Sequence, residues 1–78
     1  MSQINSDEIL DLRGVSCPHN TERVLLKLAA MPPGAILEIV LDDGQPIKNV
    51  PPSVTEDGHL IIDTKQEGYK WILLVRKA

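Results

Sequence analysis

Cys17 is the only cysteine of this 78-residue chain, and it stands directly before Pro18 in the stretch RGVSCPHNTERV. Proline is favoured at the first position of a helix, where its missing N–H costs nothing. That makes Cys17 the N-cap, its sulfur facing the unpaired amides of His19 and Asn20. Those amides, with the positive end of the helix dipole, favour a sulfur anion. The thiolate is the nucleophilic form, so the pattern predicts a thiol of lowered pKa that reacts at neutral pH. A structural cysteine would sit more naturally among Val24, Leu25 and Leu28. Cysteine can also occupy a helix start simply because it is small, so Cys-Pro alone does not decide between these readings.

The neighbours of the thiol have chemistry of their own. His19 could donate to the sulfur or accept its proton, although its place in the first turn points it outward. Arg13 could bring positive charge to the sulfur or be a solvated strand-end residue. Ser16 could donate a hydrogen bond to Cys17 or shape the turn. Arg23 and Lys27, with Asn20, line one helix face below the thiol that could dock an acidic partner, a solvated face being the default. Asp42 and Asp43 form an acidic pair. Without further ligands they make a poor metal site and read as turn and cap residues. His59 reads as structural or surface, and no metal site or cofactor is implied.

The elements that must hold these residues follow from periodicity. Residues 1–7 read as a loose tail and EILDL (8–12) as a first strand. From Pro18, Val24, Leu25, Leu28 and Ala29 fall at helical spacing, with Glu22, Arg23 and Lys27 facing away. PPG (32–34) stops that helix after Met31. AILEIVL (35–41) suits a central strand, parallel to the first through a right-handed crossover. In DDGQPIKNVPPSVTEDG (42–58) two proline sites argue for a short or broken helix starting near Asp43 or Ser53. HLIIDTKQ and YKWILLVRK flank Glu67–Gly68, the turn of an antiparallel hairpin. Trp71, Leu73 and Val75 share one face of its last strand, and Ile72 and Leu74 the other. This predicts either an interior strand or a sheet side that meets a partner. The order β-α-β-α-β-β is an α+β, two-layer sandwich of two helices on a mixed four-stranded sheet, in one domain spanning 1–78.

Composition narrows the function. A chain this short buries roughly 60 % of its unfolded surface, and one cysteine cannot form an internal disulfide. A lone thiol fits a reducing, cytoplasmic setting. The polar, acidic start MSQINSDE is no signal peptide, and WILLV is too short to span a bilayer. Eight Lys+Arg against eleven Asp+Glu give a net charge of −3, and there are two aromatic residues, Tyr69 and Trp71. Neither the charge nor the stacking surface suits nucleic acid, so a protein or small molecule is the expected partner.

LDLRGVSCP (10–18), then LAAMPPG (28–34), LEIVLDD (37–43) and EDGH (56–59), resembles the TusA/SirA-like family of small sulfur-carrier proteins from about Ile9 to Lys77. The resemblance implies two helices on a mixed four-stranded sheet. It implies that Cys17 accepts sulfur as a persulfide from a cysteine desulfurase and passes it to a downstream relay protein. In this family such relays serve tRNA thiolation or other sulfur metabolism. It leaves the oligomeric state open. Calling such a protein an enzyme is partly convention, because a sulfurtransferase-type carrier is itself the intermediate. The family usually carries a second proline in CPxP, where this chain has Asn20. That replacement supplies a backbone N–H, loses rigidity, and leaves room for a different donor or acceptor.

Two other readings compete. A thioredoxin-like redox domain also places Cys-Pro near a helix start, but CPHN has no second cysteine and the chain ends on a strand. A non-catalytic interaction module would keep the fold and leave Cys17 without a relay duty.

Overall fold

The computed structural model describes residues 6–15 and 19–78. Its elements are β1 (Glu8–Asp11), α1 (His19–Ala30), β2 (Ile36–Asp42), α2 (Gln45–Glu56), β3 (Leu60–Glu67) and β4 (Lys70–Arg76). The strands lie in the order β1-β2-β4-β3, with β1 parallel to β2 and the other pairs antiparallel. This is the expected mixed sheet carrying two helices. Residues 1–5 of the expected tail lie outside the described residues. Asp7 prolongs the β1–β2 pairing: its N–H donates to the Ile36 carbonyl, and its Oδ2 accepts from Ile36 N–H, both at 2.8 Å.

One face of the sheet makes the core. Leu37, Ile39 and Leu41 of β2 pair across to Val75, Leu73 and Trp71 of β4. Val24 and Leu28 of α1 and Val50 and Val54 of α2 pack over them in one buried cluster. The alternate residues Val40, Ile72 and Leu74 lie on the side away from the helices, by the period of two along a strand. β4 is an interior strand, paired on each side, and Ile72 and Leu74 remain half-buried on the sheet face away from the helices. Among the described residues, no helix is long and apolar enough to cross a membrane.

Three expectations need correction. First, α1 does not bury Val24, Leu25, Leu28 and Ala29 as a set: Leu25 is half-buried and Ala29 exposed, while Leu26 is 71 % exposed. The buried row is Asn20, Val24 and Leu28 at spacing four, so the helix is turned and a polar side chain takes a core position.

Second, the second helix is not broken. α2 runs unbroken through Pro51 and Pro52, with Pro46 in its first turn, where a proline is harmless. The interior prolines deprive the carbonyls of Ile47 and Lys48 of their usual donors and cost about 3 kcal/mol or more apiece. Full burial of Val50 and Val54 offsets much of that at about 1.5–3 kcal/mol each. Ser53 lies inside this helix, its Oγ donating to the Asn49 carbonyl at 3.1 Å, and does not start it. Asp43 precedes the cap Gly44, which has no side-chain cap bond.

Third, the hairpin turn is Gly68–Tyr69, one residue later than expected. Glu67 still pairs with Lys70, and the first turn position, at φ 64°, suits glycine rather than glutamate.

Candidate functional site

The junction between β1 and α1 brings the chain to the cysteine. Ser16, Cys17 and Pro18, three of the residues singled out from the sequence, lie outside the described residues. The segment before them is tied down at every amide. Leu12 N–H continues the ladder to the Val40 carbonyl at 2.9 Å, and Val15 N–H turns back to the Leu12 carbonyl at 3.1 Å. Arg13 N–H donates to Asp11 Oδ1 at 3.1 Å, and Gly14 N–H donates to Asp42 Oδ2 at 2.6 Å. Two of the four acceptors are carboxylates, which make the stronger kind of bond. The Leu12 side chain beneath the loop is fully buried.

Arg13 is not a free cation. Its Nε lies 3.0 Å from Asp11 Oδ1 and its Nη2 2.7 Å from Oδ2, a forked pair with both side chains about half exposed. The Arg13 guanidinium and then its backbone N–H hold the Asp11 carboxyl down at about 2. Asp11 in turn pushes the guanidinium pKa up. Asp11 was not singled out from the sequence. Its signal was the Asp-x-Arg spacing at a strand end, which lets a side chain reach the loop it precedes. Asp42 was singled out, and its partner turns out to be the loop 28 residues earlier. Asp43 accepts the Trp71 indole N–H at 2.8 Å. Among the described residues, no group of three or more His, Cys, Asp and Glu side chains could hold a metal.

Beyond the cysteine, α1 opens at His19. Its imidazole is 68 % exposed and stands 3.9 Å from Glu22, so it points outward. Asn20 does not share a face with Arg23 and Lys27. It is fully buried, its Oδ1 accepting from Thr21 N–H at 2.7 Å and from Thr21 Oγ1 at 3.3 Å. Its Nδ2 has no hydrogen-bond partner among the described residues. Lys27 reaches across to Glu8 of β1 at 2.5 Å. Arg23 is exposed, and the outward residues of this helix half are His19, Glu22, Arg23 and Leu26.

His59 is a buried structural residue. Its Nδ1 accepts the Ala78 N–H at 3.1 Å, which puts the ring proton on Nε2, 2.9 Å from Asp57 Oδ2. The ring ties the end of the described chain to the turn before β3.

Comparison with known proteins agrees with this architecture. The chain is 37 % identical over 76 residues to a candidate sulfur carrier protein of Archaeoglobus fulgidus, covering 96 % of this chain and 86 % of that one. It is 29 % identical over 72 residues to the sulfur carrier protein TusA of Allochromatium vinosum, covering 92 % and 95 %. A SirA-like protein from Desulfitobacterium hafniense has the same fold, with a TM-score of 0.76 at 15 % identity, covering 88 % of this chain and 95 % of that one. The family profile described as sulfurtransferase TusA matches residues 8–77, and the chain belongs to that family.

Proposed function

We propose that this protein is a sulfur carrier that holds its cargo as a persulfide on Cys17. Membership of the TusA family, over nearly the whole chain, is the observation that carries this reading. The pinned β1–α1 junction supports it, because a loop with every amide engaged keeps the entry to residues 16–18 in one conformation. The first-turn amides of His19 and Asn20, which lack intrahelical acceptors as a class, are the donors assigned to the sulfur.

In the reaction, the Cys17 thiolate attacks the terminal sulfur of a persulfide on the donor, a cysteine desulfurase. One S–S bond forms on Cys17 as the donor's S–S bond breaks, and the donor leaves as a thiolate. Nothing is oxidised or reduced overall. A downstream relay protein repeats the exchange, with Cys17 now the leaving group. The absence of a second cysteine means no resolving thiol within the chain reclaims the sulfur. Pro18, a residue type suited to the first helical position, is assigned to the helix start, and Ser16 to a hydrogen bond to Cys17 or to the turn. The docking face for the partners is His19, Glu22, Arg23 and Leu26, where a cation, a carboxylate and an apolar side chain lie together. Lys27, committed to Glu8, supports α1 instead. A reducing cytoplasm suits this chemistry.

Incubation with a cysteine desulfurase and cysteine should raise the mass by one sulfur atom, and Cys17→Ser should abolish the gain. A wild-type protein that gains no sulfur from the desulfurase of its own cell overturns the proposal. The half-buried Ile72 and Leu74 on the uncovered sheet face favour one second reading, an interaction module without relay duty. A Cys17 alkylated with the pH midpoint of free cysteine, about 8.5, would favour that module.

A further inference from the structure

We propose that Asp42, at the end of β2, is a positioning residue for Cys17, acting through the Gly14 amide. The inference rests on the assignment of Cys17 as the reacting group. The bond from Gly14 N–H to Asp42 Oδ2, 2.6 Å long, joins residues 28 apart in sequence. Among the described residues, it is the one side-chain bond to the amides of Leu12 to Val15 that comes from another strand; the others end on the Val40 and Leu12 carbonyls and on Asp11 at the end of β1. Gly14 adopts φ 81°, and a Cβ there would meet no heavy atom within 4 Å. No side chain packs over the position a Cβ would take, and the Asp42 carboxylate is the contact that ties Gly14 to β2.

The site has a built-in discriminator, because Asp42 could influence the thiol in two ways of opposite sign. If it acted on the thiol chiefly as an anion it would disfavour the thiolate, and its removal would lower the thiol pKa. As the anchor of Gly14 it would fix the start of the segment that leads to Cys17, and if the proposed stabilisation of the sulfur anion depends on that anchor, its removal would raise the pKa. Other charges nearby are the Asp11–Arg13 pair and Lys70, which stands opposite Asp42 in the β2–β4 ladder. They are unchanged by substitution at position 42.

Alkylation of Cys17 by iodoacetamide against pH separates the two and needs no sulfur donor. Asp42→Ala should raise the midpoint and slow the reaction at pH 7 by about tenfold, the scale of a modest misplacement of reacting groups. Asp42→Asn, which keeps an oxygen acceptor for Gly14 N–H without the charge, should stay near the wild-type profile. A lowered midpoint in both variants, or no change in Asp42→Ala, overturns the proposal. Should Asp42→Ala fail to fold, Asp42→Asn decides together with hydrogen exchange at the Gly14 amide. Retained protection and a wild-type midpoint support the anchor; lost protection with an unmoved midpoint, or a lowered midpoint, overturns it. If the wild type takes no sulfur from a desulfurase yet Asp42→Ala still shifts the alkylation profile, the carrier reading fails and the positioning role stands.

Discussion

Between Asp11 and His19 the chain leaves β1 for α1, and between Asp42 and Gln45 it leaves β2 for α2; both helices are twelve residues long. The first passage is longer, and of its four described amides two are held by the carboxylates of Asp11 and Asp42 and two by backbone carbonyls. The helix it enters has no proline after residue 19. The second passage is short, capped by Gly44 without a side-chain bond, and enters a helix with two interior prolines. It is secured by packing, through Val50 and Val54, and by the Trp71 indole on Asp43. Hydrogen bonds fix direction more narrowly than apolar contacts do. The difference suggests that the first passage must aim a group while the second only has to cover the sheet.

The eighth residue of each helix gives the strongest test of this contrast, since Leu26 and Pro52 are both exposed. Leu26→Pro removes an amide and forces a ring against the carbonyl of Glu22, at a cost of about 3 kcal/mol or more. That is a large share of the stability of a domain this small. Pro52→Ala restores a donor to the Lys48 carbonyl and should gain about 1–2 kcal/mol, less than the full proline penalty because the unfolded chain gains freedom. Urea unfolding midpoints measure both. Destabilisation by Pro52→Ala would mean that α2 depends on its prolines and that packing is not what secures it.

The two passages should also separate stability from reactivity. Gly14 and Gly44 both have positive φ, 81° and 99°, and at neither would a Cβ meet a heavy atom within 4 Å. Alanine at either position therefore pays a backbone cost alone, roughly 1–3 kcal/mol. Only Gly14→Ala should also change the alkylation rate of Cys17. A Gly44→Ala variant that altered that rate equally would erase the functional distinction between the passages.

Much of this architecture was readable from residue order. The strands announced themselves through branched apolar runs, and β4 through a long apolar run that suits an interior strand. The cysteine junction was legible as a motif, although its supports were not. Asp42 is 28 residues from Gly14, and no local pattern reports a bond at that range. α2 was expected, but as a short or broken helix, because local propensity counts the cost of Pro51 and Pro52 and cannot count the burial of Val50 and Val54. Asn20 was placed on the outer face because polar residues usually lie there, and the buried row it joins became visible only once α1 was docked.

The helix that the first passage enters carries a polar cost at Asn20, its second residue. Its Nδ2 is buried without a partner among the described residues, a cost of about 1–3 kcal/mol, while its Oδ1 bond to Thr21 N–H returns about 0.5–1.5. Asn20→Pro restores the second proline of the family motif, in a turn where a missing N–H is tolerated. It should raise stability by about 1 kcal/mol in urea unfolding. A loss of more than about 2 kcal/mol would show that the Asn20 amide is satisfied in solution and that α1 carries no such cost.

The smallest effect expected is a local one in acid. Asp11 ionises at about 2 rather than 3.8, first because the Arg13 guanidinium and then the Arg13 amide bond to its charged form. A carboxyl whose pKa is lowered by folding gives its support above the unfolded value and loses it as pH falls through the folded one. The order of residues 11–14 should therefore be complete above pH 4 and fade towards pH 2, while the core persists, because the pair is solvent-exposed and screened. Carboxyl and Arg13 Nε–H resonances followed by NMR would show it. Arg13→Gln should move the Asp11 midpoint back towards 3.8. A midpoint already near 3.8 in the wild type would mean that the Asp11–Arg13 fork is open in solution, leaving Asp42 as the one carboxylate that distinguishes the first passage from the second.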